Sequence, residues 1–324
     1  MATMKQVAEL AGVSTAAVSR YLNGGYISSD KAERIKAAIA DTGYVRSNQA
    51  RALRTGSTHV VGVIVPKIDS ESMSRATAGI SQVLRERGYQ MLLASTSNHA
   101  ERELEYLELF QNHPVDGIIL AATLITPAHR AAFSEVKVPL VLLGQQVEGA
   151  CCVFHDDAGA AYDLGRAVGK LAHGDVGYIG VDRADAAAGA AREDGFAAGL
   201  ESVGAVLDSA NRRMGAFTVD SGYACARDLL RANPALDRIA CATDTMAAGA
   251  IRALDETLGA GEGARRVSGF GDNAFLRSIT GGIPTVHFGY LTSGIESATM
   301  LLDRIADPSL AARQVKLGYS LMLP

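Results

Sequence analysis

At 324 residues and 48% hydrophobic, the chain is long enough for two cores of ordinary size plus a small extra module. No run approaches the roughly 20 apolar residues of a membrane helix, and the start MATMKQVAEL lacks the apolar core of a signal peptide, so no membrane association is expected and the cytoplasm is the expected compartment. The formal net charge of −4 hides an asymmetry: residues 1–57 carry eight basic side chains against four acidic ones, and the remainder carries 23 against 31, the pattern of a small polyanion-binding module on an acidic body.

The first predicted helix has Thr3 as its N-cap and Val7, Ala8 and Ala11 on one face, and it breaks at Gly12. Ser14 caps a second helix, Thr15–Leu22, with Ala17, Val18, Tyr21 and Leu22 available for its inner side. Asn23-Gly24-Gly25 ends it, because glycine tolerates the left-handed backbone of a helix C-terminus. A third helix starts near Ser28 or Ser29, has Asp30 in its first turn, buries Ile35 and Ile39, and stops at Gly43. Two helices joined by a short glycine-containing turn and backed by a third make a helix-turn-helix, whose second helix enters the DNA major groove N-terminus first. That geometry aims Thr15, Ala16 and Arg20 at base edges, with Arg20 suited to a bidentate contact with guanine. Ser14, Ser19, Tyr21 and Asn23 are placed for phosphates, with Thr3 grouped with this DNA-facing set.

The run TMKQVAELAGVSTAAVSRYLNG, followed by SSDKAERIKAAIADTGY and ARALRTG, resembles the head of the lactose-repressor (LacI/GalR) family of bacterial transcription regulators, and the similarity continues along nearly the whole chain. The resemblance implies a head at 1–45, a hinge at 46–57 and a two-lobed effector-binding core at 58–324. Its first lobe would span about 58–157 and 289–317, and its second about 158–288 and 318–324. It implies a homodimer on a pseudo-palindromic operator, with Leu53 at the position of the leucine that such dimers wedge into the minor groove. Residues 47–54 are helix-compatible but have Leu53 as their only large aliphatic side chain, so they are expected to order only on DNA. Arg51 and Arg54 would then lie near phosphates. Where most of the family has proline and then asparagine, this chain has Arg46 and Ser47, and Ser47 serves as the expected N-cap of the hinge helix.

From Val60 the chain alternates apolar runs with helical segments: runs at 60–65, 89–94, 117–122 and 138–144, and helices at 72–87, 101–112 and 127–134. A second series has runs at 176–181, 239–243 and 267–271, and helices near 158–172, 191–203, 221–231 and 245–258. Continuous apolar strands alternating with amphipathic helices predict parallel sheets covered on both faces, so the fold class is α/β, a helix-turn-helix head on two doubly wound lobes. Ligands in such sheets bind beyond the carboxyl ends of the strands. That rule nominates PKIDSES (66–72), GQQ (144–146), HDD (155–157), the start of REDGF, TDT (243–245) and GDN (271–273).

The strings AREDGF, ATDTMAAGAIRAL and VSGFGDN match the family's effector-binding positions, and PKIDSESMSRATAGI, GQQVEGACCVFHDDAGAA and TVHFGYLTSG look more narrowly like its sucrose- and trehalose-type regulators. The fold class implied is that of periplasmic-binding-protein-type lobes, and the effector implied is a sugar or sugar phosphate. The candidate effector residues are Lys67, Asp69, Ser70, Gln145, Phe154, Asp157, Arg192, Thr243, Asp244, Phe270, Asp272 and Asn273, with Phe154, Phe270 or Phe288 to cover a ring face. Gly271 stands where many family members carry an acid. Trehalose-phosphate regulators place an arginine near Gln145, so Lys67 is the one first-lobe cation left for a phosphate, which favours a neutral mono- or disaccharide.

An enzyme or solute-binding protein on the same lobes is the alternative class, and a sugar-dependent activator or a co-repressor-dependent regulator is the alternative within regulation. Asp156 and Asp157 are adjacent and point apart, none of the histidines sits in an H-E-x-x-H pattern, and GAGEG (259–263) lacks a P-loop lysine, so no catalytic constellation is read. Cys151, Cys152, Cys225 and Cys241 have neither C-x-x-C spacing nor a histidine at zinc-ligand distance, so reduced thiols, no metal and no cofactor are expected.

Overall fold

The computed structural model describes residues 2–44, 57–113 and 115–324. The expectations for the hinge, including Ser47, Arg51, Leu53 and Arg54, lie outside the described residues. The chain divides into two compact units, residues 1–58 and 59–324.

In the first unit, α1 (Met4–Ala11), α2 (Thr15–Leu22) and α3 (Ser29–Thr42) form as the local signals predict. Thr3 makes a reciprocal cap: its Oγ1 accepts from Gln6 N at 3.3 Å, and its own N–H donates to Gln6 Oε1 at 2.8 Å. Gly12 and Gly43 end α1 and α3 at φ 60, a left-handed turn that glycine adopts without penalty. Val7, Ala8, Ala11, Val18, Ile35 and Ala38 make the core. Ile39, expected to be buried, is only half-buried. Ala38, three residues beyond Ile35, takes the inner position.

The second unit contains two lobes. In the first, β1 (Val60–Val65), β2 (Gln90–Ser95), β3 (Gly117–Ala121), β4 (Leu140–Leu143), β5 (Cys151–His155) and β11 (Gln314–Leu317) form a six-stranded, all-parallel sheet in the order β11-β5-β4-β3-β1-β2. Side chains alternate across it. Val61, Val63 and Val65 pack with α4 (Glu71–Glu86) and α13 (Tyr290–Ala306), while Ile64, Ile118 and Leu142 pack with α5 (Ala100–Asn112) and α6 (Pro127–Glu135).

The second lobe has a four-stranded parallel sheet, β7-β6-β8-β9, from β6 (Asp175–Gly180), β7 (Arg212–Met214), β8 (Leu236–Cys241) and β9 (Val267–Ser268). Its helices are α7 (Asp157–Leu171), α8 (Arg192–Glu201), α9 (Val219–Ala232), α10 (Asp244–Leu258), α11 (Glu262–Arg266) and α12 (Ala274–Thr280). A separate antiparallel ribbon of β10 (Thr285–Phe288) and β12 (Tyr319–Met322) packs Val286, Phe288 and Leu321 onto α7. The chain passes between lobes at residues 155–157, 288–290 and 317–319.

α4 and α13 meet backbone to backbone. A Cβ on Gly79 would lie 2.2 Å from the Leu291 carbonyl oxygen, and one on Gly294 would lie 2.0 Å from that of Ala76. Gly294→Ala is therefore expected to force the helices apart and cost about 1–3 kcal/mol, read as a lower urea midpoint for the core.

Candidate functional site

The DNA-facing candidates cluster on α2 and its flanks. Thr15, Ala16 and Arg20 are exposed together while Val18 is buried, so the helix presents one polar face. Ser14 Oγ accepts from Ala17 N at 3.2 Å, so its hydroxyl also caps α2. Asn23 Nδ2 donates to the Ser19 carbonyl at 2.6 Å, folding that side chain back over the last turn. Tyr21 is half-buried against the head core.

In the second unit, the loops after β1, β3, β4, β6, β8 and β9 converge on a cavity of about 180 Å³ between the two lobes. Nine of the sequence candidates line it: Lys67, Ser70, Gln145, Asp157, Arg192, Thr243, Asp244, Phe270 and Asn273. Its centre is Arg192, 7% exposed, at the first position of α8. Arg192 Nε donates to Asp157 Oδ1 at 2.7 Å, and Nη1 donates to the Ala242 carbonyl at 2.7 Å. The guanidinium lies 5.0 Å from the Phe270 ring centre and 5.1 Å from that of Phe288. Those rings stack at an interplanar angle of 12°. Burial is the largest influence on Arg192 and opposes its charge, but the Asp157 carboxylate together with Tyr290 and Tyr178 outweighs it and holds the guanidinium charged.

Two acids complete the polar wall. Asp244 accepts from Asn273 N at 2.8 Å and from Thr285 Oγ1 at 2.7 Å. Burial still pushes its carboxyl up to about 6 against those donors. Asp185, which the sequence reading missed, accepts from Gln145 Nε2 at 2.8 Å and from Ala187 N and Ala188 N at 3.1 and 2.9 Å. Burial raises it too. It caps a π-helical turn, Ala186–Ala191, that runs directly into Arg192. Such turns are rare and frequent at functional sites. Gly189 permits it, since a Cβ there would lie 2.1 Å from the Asp182 carbonyl oxygen. The only local signal was an aspartate ahead of AAAGAA, which reads as an ordinary helix cap.

Direct contacts bridge the lobes around the cavity. Besides Gln145 and Asp185, Lys67 Nζ donates to the Phe217 carbonyl at 2.8 Å, and the Glu71 carboxylate accepts from Ala274 N at 3.2 Å while pairing with Arg75. Lys67 is thus already engaged across the cleft.

Three candidates lie elsewhere. Phe154 packs into the first-lobe core beside Ile64 and Leu142, because neighbouring strand residues face opposite ways and His155 takes the cavity side. Asp69 is exposed on the loop after β1 and does not line the cavity. Asp272 adopts φ 48 and turns its carboxylate to Arg277 Nη1 at 2.7 Å and His287 Nδ1 at 2.9 Å, in a neighbouring depression. His155, which lies in the nominated HDD stretch but was not singled out in it, and Tyr290 complete the aromatic wall, with ring centres 5.3 Å apart. Desolvation drops the His155 imidazole to about 4, so it is neutral at pH 7. Among the described residues no group of three or more metal-ligating side chains gathers. No described helix is long and apolar enough to cross a membrane.

Comparison with known proteins agrees with this geometry. Residues 58–308 match the model described as periplasmic binding proteins and sugar binding domain of LacI family, and residues 3–47 match that of bacterial regulatory proteins, lacI family. The sucrose operon repressor of Staphylococcus xylosus is 29% identical over 91% of this chain and 91% of its own length. The transcriptional regulator TreR of Salmonella typhimurium is 28% identical over 94% of this chain and 93% of its own. Among solved structures, a complex of the transcriptional regulator CelR with cellobiose aligns with TM-score 0.75 at 26% identity, covering 100% of this chain and 99% of that one. A lac repressor dimer bound to operator shares the fold with TM-score 0.86 at 20% identity, covering 99% and 97%. With a helix-turn-helix ahead of a two-lobed cavity, and with both family models matched in order along the chain, this protein belongs to the LacI family of bacterial DNA-binding regulators.

Proposed function

We propose that this regulator is a cytoplasmic repressor of carbohydrate-utilisation genes, without catalytic activity, that leaves its operator when a neutral mono- or disaccharide enters the cavity. The observation that carries the reading is the buried Arg192–Asp157 pair lying over two stacked phenylalanines, with Asp185 and Asp244 on the facing walls. Vicinal hydroxyls suit a bidentate guanidinium and paired carboxylate acceptors, and the apolar face of a pyranose suits an aromatic ring. A phosphate is less suited, since Lys67 spends a donor on Phe217 and the acids add negative charge. A relative named for the sucrose operon and a structural neighbour holding cellobiose support the same class.

The division into a head at 1–45, a hinge at 46–57 and a core at 58–324 belongs to this reading, as does a homodimer. Leu92 and Leu93, exposed on the edge strand β2, and Phe275 and Ile279 on α12 offer apolar surface for a second copy. In the mechanism, sugar contacts to both lobes favour one lobe angle, and the lobe angle sets the spacing of two heads on one operator. Coupling of roughly 1–3 kcal/mol is enough for control.

A thermal-shift screen of sucrose, trehalose, cellobiose, fructose and trehalose 6-phosphate is the direct test, followed by gel shift on a duplex selected from a random pool. A neutral sugar is expected to raise the melting temperature and release the duplex. Indifference to every sugar would overturn the effector class. Arg20→Ala is expected to cost about 1–3 kcal/mol of operator affinity and to relax the preference at one base pair, with sugar binding untouched.

A further inference from the structure

An acid and an imidazole face one another inside the first lobe. Glu103 on α5 is 0% exposed and His129 on α6 is 1% exposed, with Glu103 Oε2 3.4 Å from His129 Nε2. Glu103 Oε1 accepts from Thr123 Oγ1 at 2.9 Å, and His129 Nδ1 lies 2.8 Å from Thr126 Oγ1. The Thr123 carbonyl accepts from Gln145 Nε2 at 3.0 Å, and that same nitrogen donates to Asp185 Oδ1 in the other lobe. A row of polar contacts therefore runs from the buried pair to the interlobe contact at the cavity wall.

The surroundings supply no compensating charge. Glu101, Arg102, Glu105 and Glu108 on α5 and Arg130 on α6 are exposed, and His99 ahead of α5 is exposed and paired with Glu101. β1, β2, β3 and the loop 122–126 carry no charged residue. Asp185 is the acid that bears on Glu103 from across the wall.

We propose that Glu103 and His129 share a single proton that supports the cavity wall through Thr123, so that closing the lobes on an effector is linked to proton binding. With the proton the pair is neutral and tolerates a dry site. Without it a carboxylate is left in apolar surroundings beside Asp185, and the relief is to admit water at the loop 122–126, which closed lobes exclude. Burial raises Glu103 to about 7 from its ordinary 4.5 and lowers His129, so the proton leaves near neutrality. Taken alone, the raised Glu103 value gives a stabilisation that is complete below about 4.5 and is lost as pH rises through about 7, while the lowered His129 value costs stability below its ordinary 6.5. The coupling to effector rests on the reading of the cavity as the sugar site, whereas the shared proton does not.

The test uses the full-length protein. Between pH 5 and 8 the melting temperature of the wild type is expected to fall relative to that of Glu103→Gln up to about pH 7 and to level off above it, and parallel profiles below pH 7 would overturn the shared proton. If that variant does not fold, Glu103→Met, which also lacks the carboxyl, replaces it, with the same expectation. Asp185→Asn is expected to move the wild-type step to lower pH by removing the neighbouring negative charge, and an unmoved step would overturn the link to the cavity wall. The sugar with the largest thermal shift among sucrose, trehalose and cellobiose is then titrated calorimetrically. Its affinity is expected to fall, by at most tenfold per pH unit, as pH rises toward about 7 in the wild type and to stay flat in Glu103→Gln. Flat affinity in the wild type would overturn the coupling. If none of the sugars binds, it is the effector reading that fails, while the two melting comparisons still decide the proton and its link to the wall.

Discussion

Replacing Arg192 with leucine is expected to cost the core about 3–5 kcal/mol and to abolish effector binding at any accessible concentration. The guanidinium is the sole cation paired with Asp157 among the described residues, and both side chains are nearly sealed, at 9% and 7% exposure. Truncation strands a buried carboxylate and frees the Ala242 carbonyl, while Phe270 and Phe288 lose the cation over their faces. Urea unfolding of the core gives the stability change and calorimetry with the identified sugar gives the binding. The double replacement Arg192→Leu with Asp157→Leu separates the two losses: removing both charges restores much of the stability, since a buried pair is worth little against apolar packing, and restores no binding. Recovery of binding in the double variant would mean that the pair is scaffold and not ligand contact.

Val18→Asp is expected to eliminate specific operator binding and leave the effector core intact. Val18 is wholly buried among six residues that make up the head core, and a unit of this size has little stability to spare. A carboxylate there has no cation to pair with inside the head core, so α2 can no longer be held against α1 and α3. Operator affinity is expected to fall by about 1,000-fold or more, to the level of non-specific binding. Because residues 59–324 form their own compact unit, the melting transition of the core and its sugar affinity are expected to stay unchanged. Gel shift and differential scanning calorimetry on the same preparation check both halves. Undiminished operator affinity would show that α2 is not the element that reads DNA.

Much of the architecture was legible because it is written locally. Thr3, Ser14, Gly12 and Gly43 mark helix ends through contacts within one turn, and VVGVIV and GIILA are apolar on both sides because helices cover both faces of the sheet. Some short strands escaped. β11 and β12 are four residues each with alternating exposure, and β7 has three residues with two arginines, so neither length nor composition separates them from loop. α13, the helix that packs on α4, begins after Gly289 with no side-chain cap, so no capping signal marks its start.

The candidate site was legible as a set of strand ends and only partly as residues. Placing the ligand beyond the carboxyl ends of parallel strands follows from topology, and it brought nine named side chains to one cavity. Phe154 in place of His155 was an error of one residue in strand parity, which periodicity in a short strand does not resolve. Asp272 left the cavity because a positive φ turns its carboxylate toward Arg277, five residues on, and His287, fifteen residues on.

By itself the sequence determined what is local or additive: a basic three-helix head, an acidic α/β body, the order of the helices up to residue 258, and the strand ends at which polar groups gather. Only the tertiary structure decided that Asp185 meets Gln145, that Arg192 lies over Phe270 and Phe288, and that Glu103 and His129 share an interior behind the cavity wall. The physical reason is range. Caps and periodicities act over three or four residues, whereas these contacts join residues 26 to 96 positions apart, through sheet order, strand register and the passages of the chain between lobes.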